Sequence, residues 1–178
     1  MLKRMRGFTL IELLIVVAII GILAALLIPN ALAAIQKAKQ KGTMKDINSI
    51  ATAIVDYITD NGTAPAHSGA LAGGDSLYTD LSGFYLKVLP QNDQWGTPFD
   101  IYCGTAAEGI YSATNCGVDD FLVASYGRNK NQDTFAFDPM DPVTAYFPIT
   151  GMTSFDNDLV NWSGSWIHAP KSAQLGNT

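Results

Sequence analysis

Apolar residues follow two different patterns along this chain. From Phe8 to Ile28 (FTLIELLIVVAIIGILAALLI) they fill every face of a helix, interrupted by one charge, Glu12. From Asn30 to Asp60 they thin to a stripe: Ile47, Ile50, Ile54 and Ile58 recur at spacings of three and four, with Ala51 and Val55 beside them. Asp46, Asn48, Ser49, Thr52 and Asp56 take the opposite positions. The first pattern suits a helix surrounded by lipid or by other helices; the second suits one lying on a sheet. Asn61–Gly62 supplies a stop. One helix from Phe8 to Asp60 is therefore expected, about 80 Å long if straight. Pro29 removes an i→i−4 hydrogen bond and should kink or loosen it around residues 25–29. Gly21 is a second weak point, costing about 1 kcal/mol relative to alanine.

Downstream, residues 63–76 read as a Gly-, Ala- and Pro-rich loop, and residues 77–89 as a short amphipathic helix weakened by Ser82–Gly83. Phe99, Ile101 and Cys103 alternate as a strand; further strands are expected at Gly109–Thr114 and Phe121–Tyr126. Beyond Asn129 the sequence is aromatic, Pro-broken and aperiodic, which predicts a loop-rich end. The expected fold class is α+β: a long kinked N-terminal helix packed on a small antiparallel sheet. The chain divides into residues 1–7, the apolar helix 8–28, the amphipathic helix 29–60 and a globular head, 61–178.

Charge sets the topology. Lys3, Arg4 and Arg6 precede the apolar run, and Lys37, Lys39, Lys41 and Lys45 follow it. Residues 8–28 would rise about 32 Å as a helix, enough for a hydrocarbon core of about 30 Å. The basic start should stay cytoplasmic and the rest be translocated. No A-x-A-like site closes the apolar run, as a secretory signal peptide would require. The net charge is −5, and the head is acidic, which argues against nucleic acid as a primary ligand. The lysines at 37–45 could meet anionic headgroups or simply solvate a helix face. A carboxylate such as Glu12 costs about 2.5–3.5 kcal/mol inside a spanning helix unless it is partnered or reaches the headgroups.

The segment RGFTLIELLIVVAIIGILAALLIP closely resembles the N-terminal signature of type IV prepilins and type II secretion pseudopilins. The resemblance implies that residues 1–7 are a leader, cut between Gly7 and Phe8 by a prepilin peptidase that then N-methylates the Phe8 amine. It implies that Glu12 pairs with the freed amine of a neighbouring subunit, and that the helix can unwind near Gly21 and Pro29. An unpaired buried charge is prohibitive, so this pairing would make Glu12 a register device. The implied partners are further copies in a filament, an inner-membrane assembly platform with its ATPase, and the bacterial inner membrane before assembly.

Two stretches of the head resemble major pseudopilins. In YLKVLPQNDQWGTPFDIY, Trp95, Gly96 and Pro98 match an L-P-x-D-P-W-G-x-P-Y element, with Gln94 where that family usually has proline. DNDLVNW, residues 156–162, resembles a segment that helps bind calcium there. Asn129, Asn131, Asp133, Asp156 and Asp158 are hard oxygen ligands of the kind Ca²⁺ takes, although Asn and Asp also fill turns for local reasons. No other cofactor is expected. Cys103 and Cys116 lie in a translocated, oxidising setting that favours a disulfide, worth about 3 kcal/mol by loop entropy, over two free buried thiols. His67 and His168 have no ligand-like spacing, and no role is assigned to them.

No catalytic motif is present: no G-x-S-x-G, phosphate-binding glycine loop or H-E-x-x-H. The expectation is a non-enzymatic filament subunit. A surface type IV pilus subunit, serving adhesion, motility or uptake, is favoured by the cysteine pair and the long C-terminal end. A major pseudopilin of type II secretion is the alternative, favoured by the two head motifs. A membrane-anchored periplasmic binding module is a further one.

Overall fold

The structure, a computed structural model, describes residues 8–135 and 145–171. The chain forms two compact units that meet at Gln36/Lys37, and one helix, α1 (Leu10–Asn61), runs through both. In the first unit the helical assignment continues unbroken through Gly21 and Pro29. Asn30 Nδ2 donates to the Leu26 carbonyl (3.2 Å), adding a bond beside the one Pro29 cannot make. The apolar side chains stay bare: Leu10 is 80% exposed and Leu26 is 70% exposed.

In the second unit α1 supplies the core. Ile47, Ile50 and Ile54 are fully buried, Ile58 packs at the margin, and Val55 remains exposed. Each buried isoleucine contributes about 1.5–3 kcal/mol. They face an antiparallel meander whose strands lie in chain order: β1 (Ser68–Ala70), β2 (Asp100–Cys103), β3 (Phe121–Ser125), β4 (Leu159–Trp162) and β5 (Ser165–His168). Alternation sorts the side chains. Ile101, Cys103, Phe121, Val123 and Leu159 join the helix-side core, while Leu122, Ala124, Val160 and Ile167 join a second cluster with Ala107, Tyr111 and Ala113. With both faces covered, β3 is buried along its whole length, which is why it reads as a continuous apolar run.

Several sequence expectations are corrected. The helix expected over 77–89 is α2 (Ser76–Leu81), which stops where Gly83 adopts φ +92. The strand expected at Gly109–Thr114 is instead a 3₁₀ turn (Ile110–Ser112), because Tyr111 (φ +49) and Ser112 (φ +65) are left-handed and cannot extend. The loop over 63–76 contains β1. The C-terminal end carries the β4–β5 hairpin, closed by Ser163 (φ +44) and Gly164 (φ +87), both at the positive φ that two-residue hairpins require. Residues 136–144 of the expected loop-rich end lie outside the described residues.

The disulfide expected between Cys103 and Cys116 is not seen: both are free, buried thiols. Cys103 belongs to the helix-side core and Cys116 to the cluster on the other face, so the sheet stands between them. Burial pushes the Cys103 thiol up to about 12, which makes it inert.

One turn ties the sheet to α1. Asp93 Oδ1 accepts from the backbone N–H groups of Trp95 (2.9 Å) and Thr97 (2.8 Å), and its Oδ2 accepts from Ser125 Oγ (2.7 Å). The turn so held places Gln94 on the helix: its N–H donates to Thr43 Oγ1 (3.2 Å) and its Nε2 to Asp46 (2.9 Å). A Cβ on Gly42 would stand 2.9 Å from Gln94 Cγ, so glycine makes room for the contact. A proline at 94 could not donate to Thr43.

Asp93→Ala strands three donors and should cost about 2–4 kcal/mol, read as a lower urea midpoint for the full chain in detergent, with Asp93→Asn recovering part of the loss. Alkylation after unfolding without reductant should label both cysteines; an unlabelled pair would restore the disulfide.

Candidate functional site

The start of α1 is a reciprocal cap. Thr9 and Glu12 stand in the T-x-x-E spacing in which each side chain satisfies the other's backbone N–H. Glu12 Oε2 accepts from Thr9 N (2.9 Å) and Thr9 Oγ1 (2.6 Å), while Thr9 Oγ1 accepts from Glu12 N (3.3 Å). Its carboxylate therefore sits where the helix dipole favours negative charge. Both donors fall on one oxygen, and among the described residues none donates to Oε1. Phe8 is 80% exposed beside this cap. Gly7 lies outside the described residues. Around the carboxylate, the 18-residue apolar window of α1 has mean hydropathy 3.1 and is 0% buried. It is the one helix among the described residues long and apolar enough to cross a membrane. This end of the chain thus combines an uncovered apolar helix with one carboxylate whose second oxygen meets no donor among the described residues.

The head holds a second constellation, and it is smaller than the five oxygen ligands suggested. Asp133 and Asp158 come together by exchanging bonds: Asp133 N donates to Asp158 Oδ2 (2.9 Å), and Asp158 N to Asp133 Oδ2 (3.0 Å). Asp156 is instead taken by Arg128 in a bidentate pair (2.7 and 2.9 Å). Asn129 Oδ1 accepts from Asn131 N (2.9 Å), an Asx turn in which Asn131 takes part through its backbone. Among the described residues no three acid, histidine or cysteine side chains form a metal-sized group.

Three residues with no role expected from the sequence complete the constellation. Tyr111 donates its hydroxyl to Asp158 Oδ2 (2.5 Å). His168 Nδ1 lies 2.7 Å from the Asp158 carbonyl. Phe135 stacks on both rings, with centroids 4.8 Å from Tyr111 and 4.2 Å from His168. Their signal was absent from the sequence because the left-handed turn at Tyr111 and the β4–β5 hairpin bring them in from distant positions. Asp158 is fully buried, and its Oδ1 has no hydrogen-bond partner. Burial, with the charges of Asp133 and Asp100, pushes its carboxyl up to about 7 despite the tyrosine bond. Burial likewise lowers His168. Asp133 and Asp158 thus fit a hard cation by donor chemistry and by the orphaned oxygen. Asp156 and Asn129 do not, their oxygens being engaged already.

Close approach shapes the loop between β3 and Asp133. Gly127 is left-handed (φ +63), and a Cβ there would meet the carbonyl oxygens of Phe155, Asp156 and Asn157 at 2.7–2.9 Å. Arg128 N donates to the Phe155 carbonyl (2.8 Å), so glycine is what lets the two acid-bearing loops touch.

Comparison with known proteins assigns both halves of the chain. A prokaryotic N-terminal methylation motif matches residues 2–28. Type II secretion system (T2SS), protein G, matches residues 30–134, more than half of the chain. Type II secretion system core protein G of Klebsiella pneumoniae is 32% identical over 169 residues, covering 91% of this chain and 97% of that protein. The protein of the same name from Dickeya chrysanthemi is 27% identical over 174 residues, covering 93% and 92%. That from Escherichia coli K12 is 30% identical over 141 residues, covering 72% and 96%. No solved structure matches. These matches favour the secretion reading over the surface pilus, whose cysteine support fails with the free thiols. The chain belongs to the type II secretion system protein G family.

Proposed function

We propose that this chain is a repeating, non-catalytic subunit of a type II secretion pseudopilus. A prepilin peptidase removes residues 1–7 and methylates the Phe8 amine. Residues 8–28 hold the chain in the bacterial inner membrane, N-terminus cytoplasmic, until an assembly platform and its ATPase draw it into a periplasmic filament. The observation that carries this reading is the bare apolar helix with Glu12 capped through one oxygen. A large apolar side chain left in water forgoes about 1.5–3 kcal/mol, so the helix passes from lipid to neighbouring copies. The free Glu12 oxygen then receives the amine that cleavage creates on a neighbour, which neutralises both charges inside an apolar fibre.

A calcium ion at Asp133 and Asp158 belongs to the same reading. It would give the buried Asp158 Oδ1 a counter-charge and cross-link the loops that carry the two acids.

Glu12→Ala should leave the membrane-bound amount unchanged and abolish filaments in electron micrographs, with native filament subunits lacking residues 1–7 by mass. Filaments from uncleaved or Glu12→Ala chains would refute the pairing. Calcium should raise the melting temperature of the full chain by several degrees over chelator, about 1–2 kcal/mol of linkage at ten- to thirtyfold Kd, and Asp158→Asn should remove that increment.

A further inference from the structure

The outer face of α1 is divided by charge. Lys37, Lys41 and Lys45 are exposed at four-residue spacing. Two turns further on, the same side of the helix carries Thr52, Asp56 and Asp60, also exposed. Among the described residues none of these charges is in an ion pair. Nor can they pair within one chain: Lys41 and Asp56 stand fifteen residues apart on one helix, about 22 Å.

The acidic end is also a shaped surface. Asp56, Thr59 and Asp60 line an open groove of about 320 Å³ with Phe84 and Tyr85. The loop after α2 forms its wall and is tightly held. Gly83 N donates to the Leu86 carbonyl (2.8 Å) and Leu86 N to the Leu81 carbonyl (3.0 Å). Tyr85 Oη donates to Asp60 Oδ2 (3.0 Å), and its ring packs edge-on against Tyr57 with centroids 5.5 Å apart. This fixed loop holds Phe84 out in solvent, 82% exposed, with its ring edge-to-face on Tyr85. An aromatic ring kept outside the core beside two carboxylates is a surface suited to a cationic side chain.

We infer that this groove is the docking site for the lysine face of a second copy of the chain. Charge complementarity selects the occupant, since every copy carries both halves. One axial displacement satisfies two contacts at once: Lys41 opposite Asp56 and Lys45 opposite Asp60 share the same fifteen-residue offset, about 22 Å between parallel helices. The face therefore acts as an axial ruler for the heads, separate from the Glu12 contact at the membrane end. Because the contact is solvent-exposed, it is weakened by salt and adds register more than affinity. The inference rests on the filament reading above and deepens it.

The test uses the full chain in cells with their own assembly machinery. Asp56→Lys with Asp60→Lys, and Lys41→Asp with Lys45→Asp, should each lower the yield of sheared filaments at least about fivefold. The four changes together should restore it to within about twofold of wild type. A combined chain no better than either pair, or pairs that assemble like wild type, would overturn the inference. A separate readout avoids dependence on the folding of these variants: Lys41→Cys with Asp56→Cys should give an oxidised ladder longer than dimers. Dimers alone, or no cross-link, would count against it. If wild type assembles, Glu12→Ala does not and the charge swaps are silent, only the ruler fails. If wild type makes no filaments, the pseudopilus reading fails and the ruler with it.

Discussion

Everything in this molecule answers to one constraint: an apolar helix with no intramolecular cover must always be surrounded by something other than water. The window that meets this constraint has mean hydropathy 3.1 and is 0% buried, so the isolated chain is incomplete in water. In the reading proposed above, lipid satisfies it before assembly and identical helices after. Glu12 would be a liability in either setting, and the reciprocal cap with Thr9 reduces that liability by giving the carboxylate two donors and a favourable dipole. It leaves one oxygen over.

The head uses buried carboxylates in two contrasting ways. Asp93 is closed: its two oxygens accept three donors, and the turn it organises is fixed on α1. Asp158 is open: one oxygen takes Tyr111 and the Asp133 N–H, the other has nothing, and burial holds its carboxyl near neutral pH. A group satisfied by the protein stabilises it outright, whereas a group left half-satisfied costs free energy until something binds. The same residue type is fully satisfied in one place and left with an orphaned oxygen in the other.

The helix was legible from the sequence because it is governed by local rules. All-round apolarity, the Ile47–Ile50–Ile54 stripe and the Asn61–Gly62 stop act over one or two turns, and α1 ends at Asn61. β2 and β3 were legible for the same reason, through short runs of Phe, Ile, Val and Leu. The strand expected near Gly109 failed because left-handed backbone at Tyr111 and Ser112 is uncommon for those residues and leaves no compositional trace. β4 and β5 were missed although Ser163–Gly164 between apolar runs is a hairpin signal; the surrounding Asn, Asp and Pro masked it. The disulfide was inferred from compartment and loop length, neither of which reveals that the sheet separates the two thiols. The candidate calcium ligands were read as a set because all are hard oxygen donors, although they fall in two clusters well apart in sequence. Spatially they split, since Arg128 claims Asp156.

The clasp between Gln94 and the Gly42–Asp46 stretch of α1 has a mechanical consequence. In the filament proposed above, force from the base would run along the helix, and the sheet must follow without sliding. Backbone and side chain of Gln94 grip the helix at Thr43 and Asp46, and its Cγ sits in the gap that Gly42 leaves. Load along the axis therefore reaches the sheet in shear, across a keyed joint, and is passed through Asp93 to Ser125 on the central strand β3. The sheet therefore moves with the Gly42–Asp46 stretch of the helix as one piece.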